Sequence, residues 1–144
     1  MINSTREKSF QQEKRIANAV GGRQVIGSGS TPFLKGDVVV DSLLIEAKTR
    51  MEPSKSFTVQ KAWIEKAKAQ AIATKKGDYA LAISFGDNKD YYLIEDTLMK
   101  DLYQSREALT AVIEFLGGLE SPLVEETDKI SVSGLKELIR RYIG

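Results

Sequence analysis

The 144-residue chain contains no cysteine and no histidine, and only three prolines and one tryptophan. Without cysteine there is no disulfide and no thiolate metal site; without histidine there is no imidazole base or ligand. Most zinc and Ser-His-Asp chemistry is thereby excluded. Any catalysis has to rest on carboxylates, lysines, hydroxyls and a hard metal ion such as magnesium. Long apolar runs are missing too: no stretch approaches the roughly 20 residues that cross a bilayer. The start, Met1-Ile2-Asn3-Ser4-Thr5-Arg6, lacks the apolar core of a signal peptide. The expectation is a cytoplasmic protein with no membrane partner.

Hydrophobic content of 42% and charged content of 28% are those of a globular chain. At this length residues 1–144 are expected to form one domain, burying about two-thirds of its unfolded surface. The net charge of +1 hides a division: residues 1–80 carry 14 Lys/Arg against 8 Asp/Glu, residues 81–144 carry 7 against 12. The first half is therefore +6 and the second −5, and a polyanionic partner would meet the first.

The most informative stretch runs from Gly36 to Lys48. Two apolar runs, Val38–Val40 and Leu43–Ile45, flank Asp41-Ser42 and predict a β-hairpin. Its register sets Val40 against Leu43, Val39 against Leu44, Val38 against Ile45, and Asp37 against Glu46. Lys48 shares the face of Glu46 because alternate strand residues do. Like charges directly opposed destabilise a hairpin; an oxygen-loving dication offsets that repulsion and uses both groups as ligands. The alternative, a solvated sheet end with ordinary charges, is weakened by the apolar residues on both faces, which predict a buried hairpin.

Ser4-Thr5-Arg6-Glu7 is a capping-box pattern, so a helix is expected from Ser4 to Val20 with an apolar stripe of Phe10, Ile16, Ala17 and Val20. Glu13 falls within that stripe; it is either a partly exposed edge residue or a paired or metal-bound carboxylate. Lys14 and Arg15 adjoin it and could meet phosphate. Arg23–Ile26 reads as a short strand and Gly27-Ser28-Gly29-Ser30 as a loop. Thr49–Phe57 is a basic loop, and Thr58–Lys76 a helix with Gly77 as its C-cap. Gln60 is the polar exception on that helix's apolar face, and Trp63 reads as core rather than a base-stacking platform. Tyr79–Phe85 is a buried central strand and Tyr91–Ile94 another. Asp96–Leu116 is helical, with a break near Ser105 and a stop at Gly117-Gly118; Ser133–Ile143 is a last amphipathic helix.

Asp37 followed by Glu46-Ala47-Lys48 resembles the D…(E)-x-K signature of the PD-(D/E)XK nuclease superfamily, with Gly36 where a proline usually stands. A helical Glu followed by a basic residue, then Gly-Ser-Gly-Ser, then that signature resembles archaeal-type Holliday junction resolvases, which also occur in phages; the match covers about residues 10–75. The resemblance implies an α/β fold with a restriction-endonuclease-like αβββαβ core, a mixed central sheet flanked by helices. It implies a Mg2+-dependent DNA endonuclease, with Mn2+ an expected substitute, hydrolysing the phosphodiester with metal-activated water. Glu13, Asp37, Glu46 and Lys48 become the catalytic set, with Asp37, Glu46 and Glu13 on the metal. Glu7 is the fallback for Glu13, because the gap from Glu13 to Asp37 is shorter than the family's. Ser30, or Ser28 if the loop is shifted, is the active-site serine. Lys14, Arg15, Arg23, Ser30 and Gln60 are the expected DNA contacts. The implied partner is four-way junction or branched DNA, cut by a homodimer in the host cytoplasm if the protein is viral. Two alternatives stand beside this: a restriction- or repair-type endonuclease of the same superfamily, and a non-cleaving nucleic-acid-binding module of the same fold.

Overall fold

The structure, a computed structural model, describes residues 5–26, 36–118 and 132–143; the side chains of Val132, Leu138, Tyr142 and Ile143 are outside the description. The chain forms two compact units, residues 1–95 and 96–144. Among the described residues no helix is long and apolar enough to cross a membrane.

The first unit is α/β. Helix α1 (Thr5–Val20) leads to β1 (Arg23–Gln24) and the hairpin β2 (Val38–Val40) and β3 (Leu43–Thr49); α2 (Lys61–Ala73) then crosses to β4 (Asp78–Ser84) and β5 (Tyr91–Leu93). The five strands form one mixed sheet in the order β1-β2-β3-β4-β5, with β3 and β4 parallel and the other pairs antiparallel. The hairpin register is the one its sequence predicts: Val40 opposite Leu43, Val39 opposite Leu44, Val38 opposite Ile45. Asp41 takes the left-handed turn conformation (φ 43°), which Asp tolerates better than most residues.

The two faces of the sheet carry different helices. Ile16 and Ala17 of α1 pack with Val38, Ile45, Ala80 and Ala82. On the opposite face α2 comes close because it presents alanines, Ala67 and Ala71, both buried. The buried stripe of α1 is Gln12, Ile16 and Ala17 rather than one that includes Phe10, which is 45% exposed. The i, i+4 step from Gln12 to Ile16 sets the face, and Phe10 lies off it. Helix α2 also ends differently from its prediction. Lys75, not Gly77, adopts the left-handed residue (φ 55°), while Lys75 N–H reaches Ile72 O and Lys76 N–H reaches Ala71 O, the bonding of a Schellman cap.

In the second unit α3 (Asp96–Gly118) and α4 (Val132–Ile143) pack together. Helix α3 is unbroken at Ser105 and runs through Gly117-Gly118; a lone serine between good helix formers costs too little to interrupt a helix.

One glycine is required by the corner that precedes β2. Gly36 has φ +79°, and a Cβ there would stand 2.6 Å from Leu44 Cγ. Gly36→Ala therefore combines backbone strain with a core clash. It is expected to cost about 2 kcal/mol or more, read as a lower midpoint in urea denaturation; an unchanged midpoint would contradict the described corner.

Candidate active site

The paired register of the hairpin stops at Val38 opposite Ile45, and the site begins where the ladder breaks. Asp37, just ahead of β2, donates its N–H to Ile45 O at 3.0 Å, so the chain bends at the end of the ladder and does not pair with Glu46. Asp37 O accepts Val25 N–H at 2.8 Å, and Asp37 Oδ2 accepts Ala47 N–H at 2.7 Å. The carboxylate thus takes the backbone donor that a continuing strand would have used. Asp37 is not the fourth partner in the ladder; it is fastened between β1 and β3 by its backbone and its carboxylate.

Glu46 and Lys48 project from β3 toward α2. Glu46 Oε1 accepts two ammonium groups, Lys48 Nζ at 2.9 Å and Lys66 Nζ of α2 at 3.0 Å, and the residue is only 4% exposed. Lys48 Nζ also donates to Ala47 O at 3.3 Å and lies 5.8 Å from the centre of the Trp63 ring. Glu13 of α1 is half-buried, its Oε2 accepting Gln24 Nε2 at 2.7 Å. The backbone carbonyl of Lys48 is held in turn: buried Gln12 donates to it at 3.2 Å and to Asp90 Oδ1 at 3.0 Å.

These carboxylates sense one another. Burial, then the charge of Glu46, raises Asp37 from 3.8 to about 6; the Ala47 N–H opposes this, and Glu13 adds to it. Burial also raises Glu13, against its hydrogen bond from Gln24 and with a contribution from Glu46. Burial pushes Glu46 up as well, but the hydrogen bonds and charges of Lys48 and Lys66 outweigh it and hold Glu46 low. The cationic compensation is concentrated on Glu46, and Asp37 is left short of it.

Of the two sequence candidates on α1, Glu13 is the one whose charge reaches Asp37. Glu7, in the first helical turn, accepts Gln11 Nε2 at 2.9 Å and lines a separate cleft with Lys8, Arg15 and Arg50. Lys14 and Arg23 are exposed. Arg15 is engaged within the protein: its Nε and Nη2 bind Asp90 at 3.1 and 3.2 Å, and its Nη1 reaches Asn88 at 3.4 Å. Gln60 is exposed, immediately before α2, and makes no side-chain cap. Ser28 and Ser30 lie outside the described residues. Lys66, Gln24, Gln12 and Asp90 were not picked out from the sequence. Gln12 carried a signal, a polar residue four before Ile16 on the buried stripe; Lys66 carried none, because the docking of α2 cannot be read from its own charges.

A divalent cation is a chemical match for Asp37 and Glu46. Among the described residues no group of three acidic side chains is gathered tightly enough to hold an ion, so Glu13 does not join the other two. Magnesium does not require a third: it is characteristically held by one or two carboxylates, with water and phosphate oxygens completing its shell. Asp37 and Glu46 would hold it, in line with the burial and the neighbouring charge that raise Asp37.

The sign of the Asp37 shift sets a pH test. Its folded pKa of about 6 exceeds its ordinary 3.8, so the native state holds the proton more firmly and stability falls as pH rises between those values. Asp37→Asn keeps the acceptor for Ala47 N–H and removes the charge. In metal-free buffer at pH 7.5 it is expected to be more stable than wild type by between about 1 and 3 kcal/mol, discounted for partial exposure. The gain should vanish near pH 4. Equal stability at both pH values would contradict the electrostatics described.

Comparison with protein-family models, with curated proteins and with solved structures gives no match for this chain.

Proposed function

We propose that this chain is a Mg2+-dependent DNA endonuclease of the PD-(D/E)XK type, with a restriction-endonuclease-like core, acting in the cytoplasm on branched or four-way junction DNA. The observation that carries the reading is the corner where Asp37 and Glu46 repel each other across β2 and β3 with Lys48 on the same carboxylate. A protein that only bound nucleic acid would have no use for two neighbouring, half-compensated carboxylates. The order α1-β1-β2-β3-α2-β4 supports the αβββαβ core. Gly36 in place of the usual proline has a physical reason, because proline cannot adopt φ +79°.

The metal, when bound by Asp37 and Glu46, supplies a Lewis acid for the phosphate and for the attacking water. Lys48 orients that water and balances the charge that builds on the phosphorane. Gln12 keeps the Lys48 backbone in place, and Lys66 keeps Glu46 ionised. Glu13, raised by burial, can exchange a proton with nearby water. The exposed Lys14 and Arg23 hold backbone phosphates, contacts that position DNA without reading its sequence. Arg15, already neutralised by Asp90, contributes less than its position in the sequence implies.

Cleavage of a four-way junction, a matched duplex and a single strand, each with and without Mg2+, tests this directly. Wild type is expected to cut only with metal, and the junction fastest. Asp37→Ala and Glu46→Ala should fall below detection, and Lys48→Ala should lose roughly 10²–10⁴-fold. Cutting by either acidic variant at the wild-type rate would remove the assignment. Binding should weaken steeply with salt, as phosphate contacts demand.

Resolving a junction takes two opposed cuts, and one site per chain supplies them only as a two-fold dimer. Helix α3 exposes Met99, Leu102, Tyr103, Val112 and Phe115, enough apolar surface for such an interface. Sedimentation equilibrium at micromolar concentration is expected to show a dimer. A monomer with and without junction DNA would end the resolvase reading and leave the endonuclease one.

A further inference from the structure

Next to Lys48, on the α2 side of the sheet, is a pocket of about 350 Å3 lined by Thr49, Arg50, Phe57, Thr58 and Trp63. Its residues come from the end of β3, the connection that follows and the first turn of α2. We propose that this pocket seats an unstacked nucleobase of the strand being cut, so that the enzyme selects DNA carrying unpaired nucleotides at the point of cleavage. The proposal rests on the nuclease reading and names its substrate class.

The pocket is built for a flat, polar-edged guest. Phe57 and Trp63 are half-buried, each with part of its surface turned outward. Their rings meet edge to face with centroids 6.2 Å apart, and Phe57 meets Phe85 in the same way at 6.1 Å. Phe85 in turn meets Tyr91 at 5.5 Å. These edge-to-face contacts hold the rings in place, with the Lys48 ammonium over the Trp63 ring and the Arg50 guanidinium over the Phe57 ring. Trp63, expected from sequence to be core, is therefore a half-exposed wall. The Arg50 guanidinium lies 5.6 Å from the centre of the Phe57 ring, where it can cover a stacked base or meet its phosphate. The Thr49 and Thr58 hydroxyls offer hydrogen bonds to a base edge.

Position connects the pocket to the chemistry. The Lys48 ammonium is within 5.8 Å of the Trp63 ring centre and 2.9 Å from Glu46. A base resting on Trp63 thus belongs to a nucleotide at the reacting phosphate, not to a remote one. In an intact duplex that base is stacked and paired, and withdrawing it costs a few kcal/mol, least where it is already unpaired. Branch points and single-stranded arms meet that condition. Every base has a π-face, so stacking of this kind selects structure and tolerates sequence.

Trp63 is the chain's single tryptophan, so its fluorescence reports the pocket without any labelling. The probes are an oligothymidylate and an abasic phosphodiester strand of equal length and charge. Wild type is expected to bind the oligothymidylate more tightly by between about 5- and 150-fold, with Trp63 quenched by that strand alone. Trp63→Ala should erase the difference between the strands, and Trp63→Phe should restore most of it. Equal affinity for the two strands, equal quenching, or a difference that survives in Trp63→Ala overturns the proposal. Should Trp63→Ala not fold, the wild-type fluorescence and Trp63→Phe still decide. Mg2+-dependent cleavage without base-dependent binding ends the pocket proposal alone. Base-dependent binding with no cleavage of any DNA ends the nuclease reading, and with it selection at a point of cleavage, and leaves the pocket as a base-binding site. No binding to either strand overturns both.

Discussion

The structure turns on the burial of two neighbouring carboxylates, Asp37 and Glu46. Folding brings the two carboxylates together because the hairpin register ends beside them and Asp37 bonds to β3 on either side of Glu46, at Ile45 and Ala47. Two backbone bonds, to Ile45 and from Val25, and one from Ala47 N–H to its carboxylate fix Asp37. Two lysines then converge on one oxygen of Glu46, one from the same strand and one from α2. The compensation is unequal. Glu46 stays ionised, while Asp37 is raised to about 6. A buried corner that is short of positive charge is a cost to stability, one that the proposed cation would relieve.

The surrounding scaffold serves that corner from both faces of the sheet. Helix α1 supplies Glu13 at the β1 side and buried Gln12 behind Lys48, and Gln12 connects through Asp90 to Arg15. Helix α2 supplies Lys66 and the Trp63 wall, and its alanines let it approach closely enough for Lys66 to reach Glu46. Neither helix has to move for these groups to meet. The site is held by sheet and helices, which position groups more tightly than loops do.

Much of this could be read in the residues beforehand, and the exceptions share a cause. Hairpin register follows from a period of two and a short turn, so Val38, Val39 and Val40 met their expected partners. The near-continuous apolar run at Tyr79–Phe85 declared a strand covered on both faces, and β4 is one. Local signals failed where backbone or tertiary contacts decide. Asp37 stands outside the ladder because the chain bends ahead of β2, where Gly36 takes a positive φ, and the alternation of apolar residues does not announce where pairing stops. Hydrophobicity alone assigns Phe10 to the core, whereas the helix is oriented by Gln12 and Ile16. Lys75 took the left-handed cap two residues before the glycine that suits it better. Lys66 was missed because its partner is 20 residues away and the docking of α2 brings them together.

The central claim is that Asp37 and Glu46 form a cation site. Paramagnetic line broadening by Mn2+, followed on backbone amide resonances, examines it without requiring any substrate or activity. At substoichiometric Mn2+ the amides of Asp37, Glu46, Ala47 and Lys48 should broaden first and together, Mg2+ should restore them, and Asp37→Asn should abolish the effect. Broadening that begins elsewhere in the chain, or that persists unchanged in Asp37→Asn, would contradict the account.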